Sequence, residues 1–370
     1  MKILISTIHR GFNLGSALQA YALSEILKNL GHVPVILDYI PNRMNLRKNI
    51  VHHIKIIFSF KSSFNDRYLS ARGIAILMSN NIVYHRFFKK YINLTKSYYT
   101  YEEIMHDTAI KCYDAYMTGS DQVWNSIYNK GIDFVYFLGF APDNKPRVAY
   151  ASSFGKNELD HEEATIIEKF LSRYKAVSVR EKSALKILNS IGIDGVNVLD
   201  PTLLLNKDDW TKRIPKIKIK NKFLLIYSVE PNKIKLIEYA VQIAKILNLK
   251  IYMVEWGVKK YPKVDKMINF ISPLCVLSYF VAAYYIVASS FHGTALAINF
   301  NKQFISVQPE KFNTRVVSIL DITGLTDRLM DEYSFSIEKA TEIIDYSNVN
   351  CILAKERGKS ISFIENSLHE

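Results

Sequence analysis

A chain of 370 residues that is 49% hydrophobic exceeds the usual size of one domain and predicts two hydrophobic cores. Its three cysteines, Cys112, Cys275 and Cys351, form no CxxC pair; this excludes a disulfide scaffold and a cysteine zinc site and fits a reducing compartment, with Cys112 and Cys275 expected to pack in apolar surroundings. The net charge of +13 is concentrated, since Arg43 to Lys96 holds eleven Lys or Arg against Asp66 alone, and no helix-turn-helix, RNP or zinc-finger pattern directs that charge to nucleic acid.

The first strand is predicted over 2–6. Polar residues close it too soon for a signal peptide, so a cytoplasmic protein is expected. The loop His9-Arg10-Gly11-Phe12-Asn13-Leu14-Gly15-Ser16 leads to a helix over 16–30, with Ser16 as N-cap and Gly31 past its end, and to a strand over 32–39. This opening is Rossmann-like but lacks GxGxxG, and Arg10 in the loop favours contact with an anion. From Arg43 to Lys96, apolar residues such as Val51, Ile54, Phe58, Phe60 and Phe88 alternate with basic ones such as Lys55 and Lys61. That is the pattern of a basic amphipathic helix facing anionic lipid or a polyphosphate, or of an ordinary solvated face. Strands over 115–118, 148–152, 176–179 and 197–199 complete a first domain, 1–203, with a basic helical insertion at about 43–110.

After Asp200-Pro201-Thr202 the alternation begins again, with strands over 222–229, 250–255, 284–288 and 303–307 and helices over 234–247, 274–283 and 294–300. The uncharged run 274–291 is long enough to cross a bilayer, but its helical spacing gives way to an aromatic and β-branched run closed by Ser289-Ser290. It therefore reads as a buried helix followed by a central strand. The second domain is expected over 204–335 as a parallel sheet covered by helices. Residues 336–370 are helical in periodicity and are expected to pack back on the first domain.

In open α/β sheets, ligands bind off the carboxyl ends of strands, where helix N-termini offer unpaired N–H groups. Gly119-Ser120-Asp121-Gln122-Val123-Trp124-Asn125 follows a predicted strand, so Ser120, Asp121, Gln122 and Asn125 either face the same crevice as Arg10, Asn13 and Ser16 or form Asx-turns and helix caps. Arg180 ends another strand beside Glu181. Its guanidinium can fork onto a phosphate or carboxylate, or form a surface pair with Glu181. In the second half, Ser290-Phe291-His292-Gly293-Thr294 puts a histidine, whose unperturbed pKa of about 6.5 suits proton transfer, at a strand–helix junction. Ser290, Gly293 and Thr294 flank it, and Arg315 follows one βα unit later. No HExxH, Walker A or GxSxG motif occurs and no metal is expected.

Six segments taken in order, Asn13-Leu14-Gly15-Ser16-Ala17-Leu18-Gln19-Ala20-Tyr21, Gly119-Ser120-Asp121-Gln122-Val123-Trp124-Asn125, Ala149-Tyr150-Ala151-Ser152-Ser153-Phe154-Gly155, Ser178-Val179-Arg180-Glu181, Leu199-Asp200-Pro201-Thr202 and Ser290-Phe291-His292-Gly293, resemble the polysaccharide pyruvyltransferase family. The resemblance implies a GT-B-like fold, two Rossmann-like domains with parallel sheets facing an interdomain cleft. It also implies phosphoenolpyruvate as donor substrate, no other cofactor, and a pyruvate ketal on two hydroxyls of a bacterial surface polysaccharide precursor. His292 and Arg180 match family positions as general acid/base and anion contact, and Arg315 is assigned by placement. Members often carry an arginine two positions before the histidine, where this chain has Ser290, so that contact is either absent or supplied by Arg315 or Arg10.

The first domain is then the acceptor side and the second the donor side. The acceptor is expected to be linked to a polyprenyl diphosphate, with 43–96 peripheral at the inner membrane face. A nucleotide-sugar glycosyltransferase with a carboxylate near Glu310, or a non-catalytic glycan-assembly protein, stands as the alternative on the same scaffold.

Overall fold

The computed structural model describes residues 1–59, 62–308 and 314–369; Phe60, Lys61 and Glu310 lie outside them. Two sheets organise the chain. The first holds β1 (Lys2–Ser6), β2 (Val33–Tyr39), β3 (Leu94–Tyr98), β4 (Ala115–Thr118), β5 (Arg147–Ser152), β6 (Ala176–Val179) and β7 (Val196–Asn197) in the order β3-β2-β1-β4-β5-β6-β7. The second holds β8 (Phe223–Tyr227), β9 (Lys250–Val254), β10 (Lys266–Ile268), β11 (Tyr285–Ala288), β12 (Gln303–Val307) and β13 (Leu329–Met330) in the order β10-β9-β8-β11-β12-β13. All these pairings are parallel. Helices cover both faces, which explains why β8 and β11 read as unbroken apolar runs and are buried throughout. In each sheet the order reverses beside the first strand, between β1 and β4 and between β8 and β11. Such switch points open a crevice at the carboxyl ends.

Helix starts differ from the expectation where a polar side chain caps earlier. The first helix is Leu14–Asn29, because the Asn13 side chain accepts from Ser16 N; Ser16 is inside the helix, with its hydroxyl free for other work. The helix after β11 is Phe291–Asn299, because Ser290 accepts from Gly293 N, so His292 sits in the first turn. The run expected to be a strand over 197–199 pairs only at Val196–Asn197. Leu199 N donates instead to Ser360 Oγ. Cys112 is exposed and Cys275 half-buried; neither is enclosed in a core as expected. No described helix is long and apolar enough to cross a membrane.

Between β2 and β3, helices Leu46–Ile57 and Phe64–Tyr91 form a hairpin. The longer one packs Phe87 and Tyr91 on Tyr21 of the first helix and reaches the second sheet's domain, where Asn80 Nδ2 donates to Trp256 O at 2.9 Å.

The last helix, Tyr346–Leu368, returns from the second sheet to the first, with Phe363 against Tyr150. Arg357 Nε donates to Leu203 O and its Nη2 to Asn299 Oδ1. Asn299 Nδ2 donates to Thr202 O and Leu205 O. One buried amide thus ties together the interdomain linker, the histidine-bearing helix and the last helix. Asn299→Ala leaves the Leu205 carbonyl and part of the Arg357 fork without partners, and should destabilise the fold by about 2 to 4 kcal/mol in urea unfolding.

Candidate functional site

The two switch points face each other. First-turn residues of Leu14–Asn29 meet first-turn residues of Phe291–Asn299 so closely that a Cβ on Gly15 would lie 1.9 Å from His292 Nδ1. Only glycine allows this approach, and the contact places the imidazole under the N-terminal ends of two helices. A cavity of about 280 Å³ opens there, lined from the first domain by Asn13, Ser16, Asp121 and Gln122 and from the second by Ser290, His292 and Arg315. A second cavity of about 440 Å³ shares Ser289 and Glu230 with it and runs along the carboxyl edge of the second sheet to Tyr333.

Behind the histidine lies a cluster of charges cut off from water. Arg180 Nη1 donates to Asp200 Oδ2 at 2.8 Å and its Nη2 to Asp121 Oδ1 at 3.2 Å, while its Cζ stands 4.7 Å from the centre of the Phe291 ring. Asp200 also accepts from Ser120 Oγ, Thr202 N and Thr202 Oγ1. Burial alone would raise its pKa, but His292, Arg180 and Thr202 outweigh it and bring it to about 2. Asp121 has φ +82°, the left-handed region, held there by Ser16 Oγ and Arg180 on its carboxylate. Burial pushes Glu181 up despite Arg180 and a bond from Ser153 Oγ.

The imidazole is neutral at pH 7. Burial, reinforced by Arg180 and Arg315 against the pull of Asp200 and Asp121, lowers His292 to about 4. Its Nε2 is 3.8 Å from Asp200 Oδ2 and has no hydrogen-bond partner among the described residues. Burial and Arg180 also lower Arg315 to about 10, which leaves it a cation at neutral pH, and its Nε has no partner among the described residues.

The cavity thus gathers seven of the expected residues: His292, Asn13, Ser16, Asp121, Gln122, Ser290 and Arg315. Arg180 is not among them. The three carboxylates that surround its guanidinium hold it beneath the histidine, so it is neither an open anion contact nor a surface partner of Glu181. Ser120 is likewise beneath the floor, donating to Asp200. Gly293 and Thr294 are enclosed in their helix, where Thr294 Oγ1 bonds Ser290 O and Ser306 Oγ. Arg10 lies elsewhere, with Nε and Nη2 donating to Asp38 at 2.8 and 2.6 Å. Sequence reasoning read Asp200 only as part of the segment that leads into the second domain; the structure makes it the N-cap of the short helix Pro201–Leu204, with its side chain accepting from Thr202 N. Its second oxygen serves the cluster. Among the described residues no group of three His, Cys, Asp or Glu is placed to hold a metal ion.

Two tests follow from this geometry. Gly15→Ala should cost about 1 to 3 kcal/mol through overlap with His292, whereas Gly358→Ala, in an open stretch of the last helix, should be neutral or better; thermal unfolding separates them. Because the folded-state pKa of His292 lies below the unfolded value, its contribution is intact above pH 6.5 and lost as pH falls toward 4. On the order of 3 kcal/mol should disappear across that window, and His292→Gln should flatten the slope in urea unfolding measured from pH 7 to 4.

The family model for polysaccharide pyruvyl transferase matches residues 13–310. A search of curated proteins finds no match. Among solved structures, UDP-GlcNAc 2-epimerase from Neisseria meningitidis bound to UDP-GlcNAc is 12% identical with TM-score 0.48, covering 100% of this chain and 99% of that one. An S. aureus MnaA–UDP co-structure is 13% identical with TM-score 0.47, covering 96% and 87%. The spinosyn rhamnosyltransferase SpnG complexed with thymidine diphosphate is 10% identical with TM-score 0.44, covering 99% of each chain. Because the family model matches residues 13–310, well over half of the chain, the chain belongs to the polysaccharide pyruvyl transferase family.

Proposed function

We propose that the crevice transfers pyruvate from phosphoenolpyruvate to two hydroxyls of a sugar in a surface polysaccharide precursor. The observation that carries this reading is an imidazole at two helix N-termini, in a cavity whose described lining has Arg315 as its only cation beside the carboxylates of Asp121 and Glu230. A small dianion suits that field, since helix N-termini and a guanidinium both favour phosphate and carboxylate oxygens.

In the proposed reaction, the first sugar hydroxyl adds its oxygen to the enol carbon and a proton is delivered to the methylene carbon, which becomes the methyl group. The bond from the former enol carbon, now bearing the sugar oxygen, to the phosphate oxygen then breaks. The second hydroxyl oxygen closes the ketal, and its proton leaves with inorganic phosphate. His292 carries protons between these atoms. Anionic donor in the cavity raises the imidazole from its resting value, so it gains a proton with substrate bound, and the Asp200 carboxylate at 3.8 Å stabilises the imidazolium. Arg180 acts on the reaction only as a positioning residue for Asp121 and Asp200. Arg315 takes the donor charge that an arginine at position 290 would otherwise meet. The adjoining 440 Å³ cavity is lined wholly by the second domain; further sugars carried on a polyprenyl diphosphate would fit it only if part of the acceptor lies on the side expected for the donor.

The test is incubation with phosphoenolpyruvate and a panel of hexose and N-acetylhexosamine acceptors, following inorganic phosphate and the mass of a pyruvate adduct that has lost water. His292→Ala should reduce turnover at least about 100-fold with the fold intact, and Arg315→Ala should act mainly on KM for phosphoenolpyruvate. Consumption of a sugar nucleotide with phosphoenolpyruvate untouched would overturn the reading in favour of a glycosyltransferase.

A further inference from the structure

The outermost face of helix Phe64–Tyr91 has inverted polarity. Its buried side is Ser70, Asn80, Tyr84, Phe87 and Phe88. Opposite, at alternating spacings of three and four residues, Phe64, Tyr68, Ala71, Ala75, Met78 and Ile82 are all exposed and form a stripe about 27 Å long. A soluble helix ordinarily turns charge to water on that side. The charge here lies beside and beyond the stripe, in the exposed Arg67, Arg86, Lys89 and Lys90. The neighbouring helix Leu46–Ile57 and its C-cap repeat the pattern with exposed Val51, Ile54 and Phe58 among Arg47, Lys48 and Lys55. At the hairpin tip Phe58 is 78% and Phe64 87% exposed, a cost in water that a covered surface removes.

We infer that this face docks on an anionic lipid bilayer, with Phe58 and Phe64 entering the boundary between headgroups and acyl chains and the basic residues meeting lipid phosphates. Charge decides the occupant. Residues 43–96 hold eleven basic residues against one acid, and that acid, Asp66, is committed to the capping box of its own helix. A second copy would bring the same excess of positive charge against it, whereas an anionic leaflet supplies the complementary field and a hydrocarbon boundary for the stripe. The hairpin leaves the first sheet at the carboxyl end of β2, and Tyr84 on its inner side touches both Phe12 of the first loop and Trp256 of the second domain. The hairpin therefore sits on the carboxyl side of both sheets, the side on which the crevice lies. Because lipid binding needs no turnover, its failure would leave the transferase reading standing.

The experiment uses the full chain with phosphatidylcholine vesicles and with vesicles that also contain phosphatidylglycerol. Flotation should recover protein only with the anionic vesicles and should fall as salt rises toward 1 M, where screening shortens to about 3 Å. Phe58→Ser with Phe64→Ser should weaken partitioning roughly tenfold or more, and so should Lys55→Glu with Lys89→Glu, in variants whose melting temperature is unchanged. Phe64→Trp should shift its emission to shorter wavelength only with anionic vesicles. Equal binding to both vesicles, an unshifted Trp emission, or a dimer in sedimentation velocity that Phe64→Ser dissolves would each overturn the assignment.

Discussion

The arrangement depends on one buried cation. Arg180 comes from the end of β6, Asp121 from the turn after β4, Asp200 from the segment that leads into the second domain, and Phe291 from the second domain itself. Taking these charges out of water is costly one by one, and tolerable only because each carboxylate has several donors. The cation therefore joins parts of the chain that are distant in sequence. It also fixes where the histidine-bearing helix can rest.

The state of His292 follows from that cluster. Two carboxylates near the imidazole favour its charged form, yet burial decides the outcome, with Arg180 and Arg315 balancing the carboxylates. The result is a ring whose buried Nε2 lies beside Asp200 with no hydrogen-bond partner among the described residues. The absence of a side chain at Gly15 is part of the same design, because it lets a ring of one domain sit against the backbone of the other.

The connections outside the crevice give it a stable frame. The hairpin between β2 and β3 spans both domains on one side through Asn80, Tyr84 and Trp256, and the last helix spans them on another through Arg357, Ser360 and Phe363. The inner side of the hairpin is packed as a core helix should be. Its outer side is not, so the same element carries structural and surface roles.

Periodicity by itself determined most of the elements. β4, β6, β12 and the helix Ile234–Leu247 have the bounds that apolar runs and breaker residues predict, because local hydrogen bonding and burial of a continuous strip fix them. The motifs around Asn13, Asp121, Arg180 and His292 were legible as residues that follow strands and so gather at the carboxyl ends of the sheets. Their division of labour was not. Whether Arg180 meets a ligand or carboxylates, whether Arg10 faces the crevice or Asp38, and whether Asp200 merely caps a helix all depend on which charges the fold brings within hydrogen-bond reach. Those neighbours are 20 to 60 residues away in the chain for Arg180 and 28 for Arg10, so spacing carries no trace of them. Only tertiary structure decides which buried charges neutralise one another and which one is left facing the cavity.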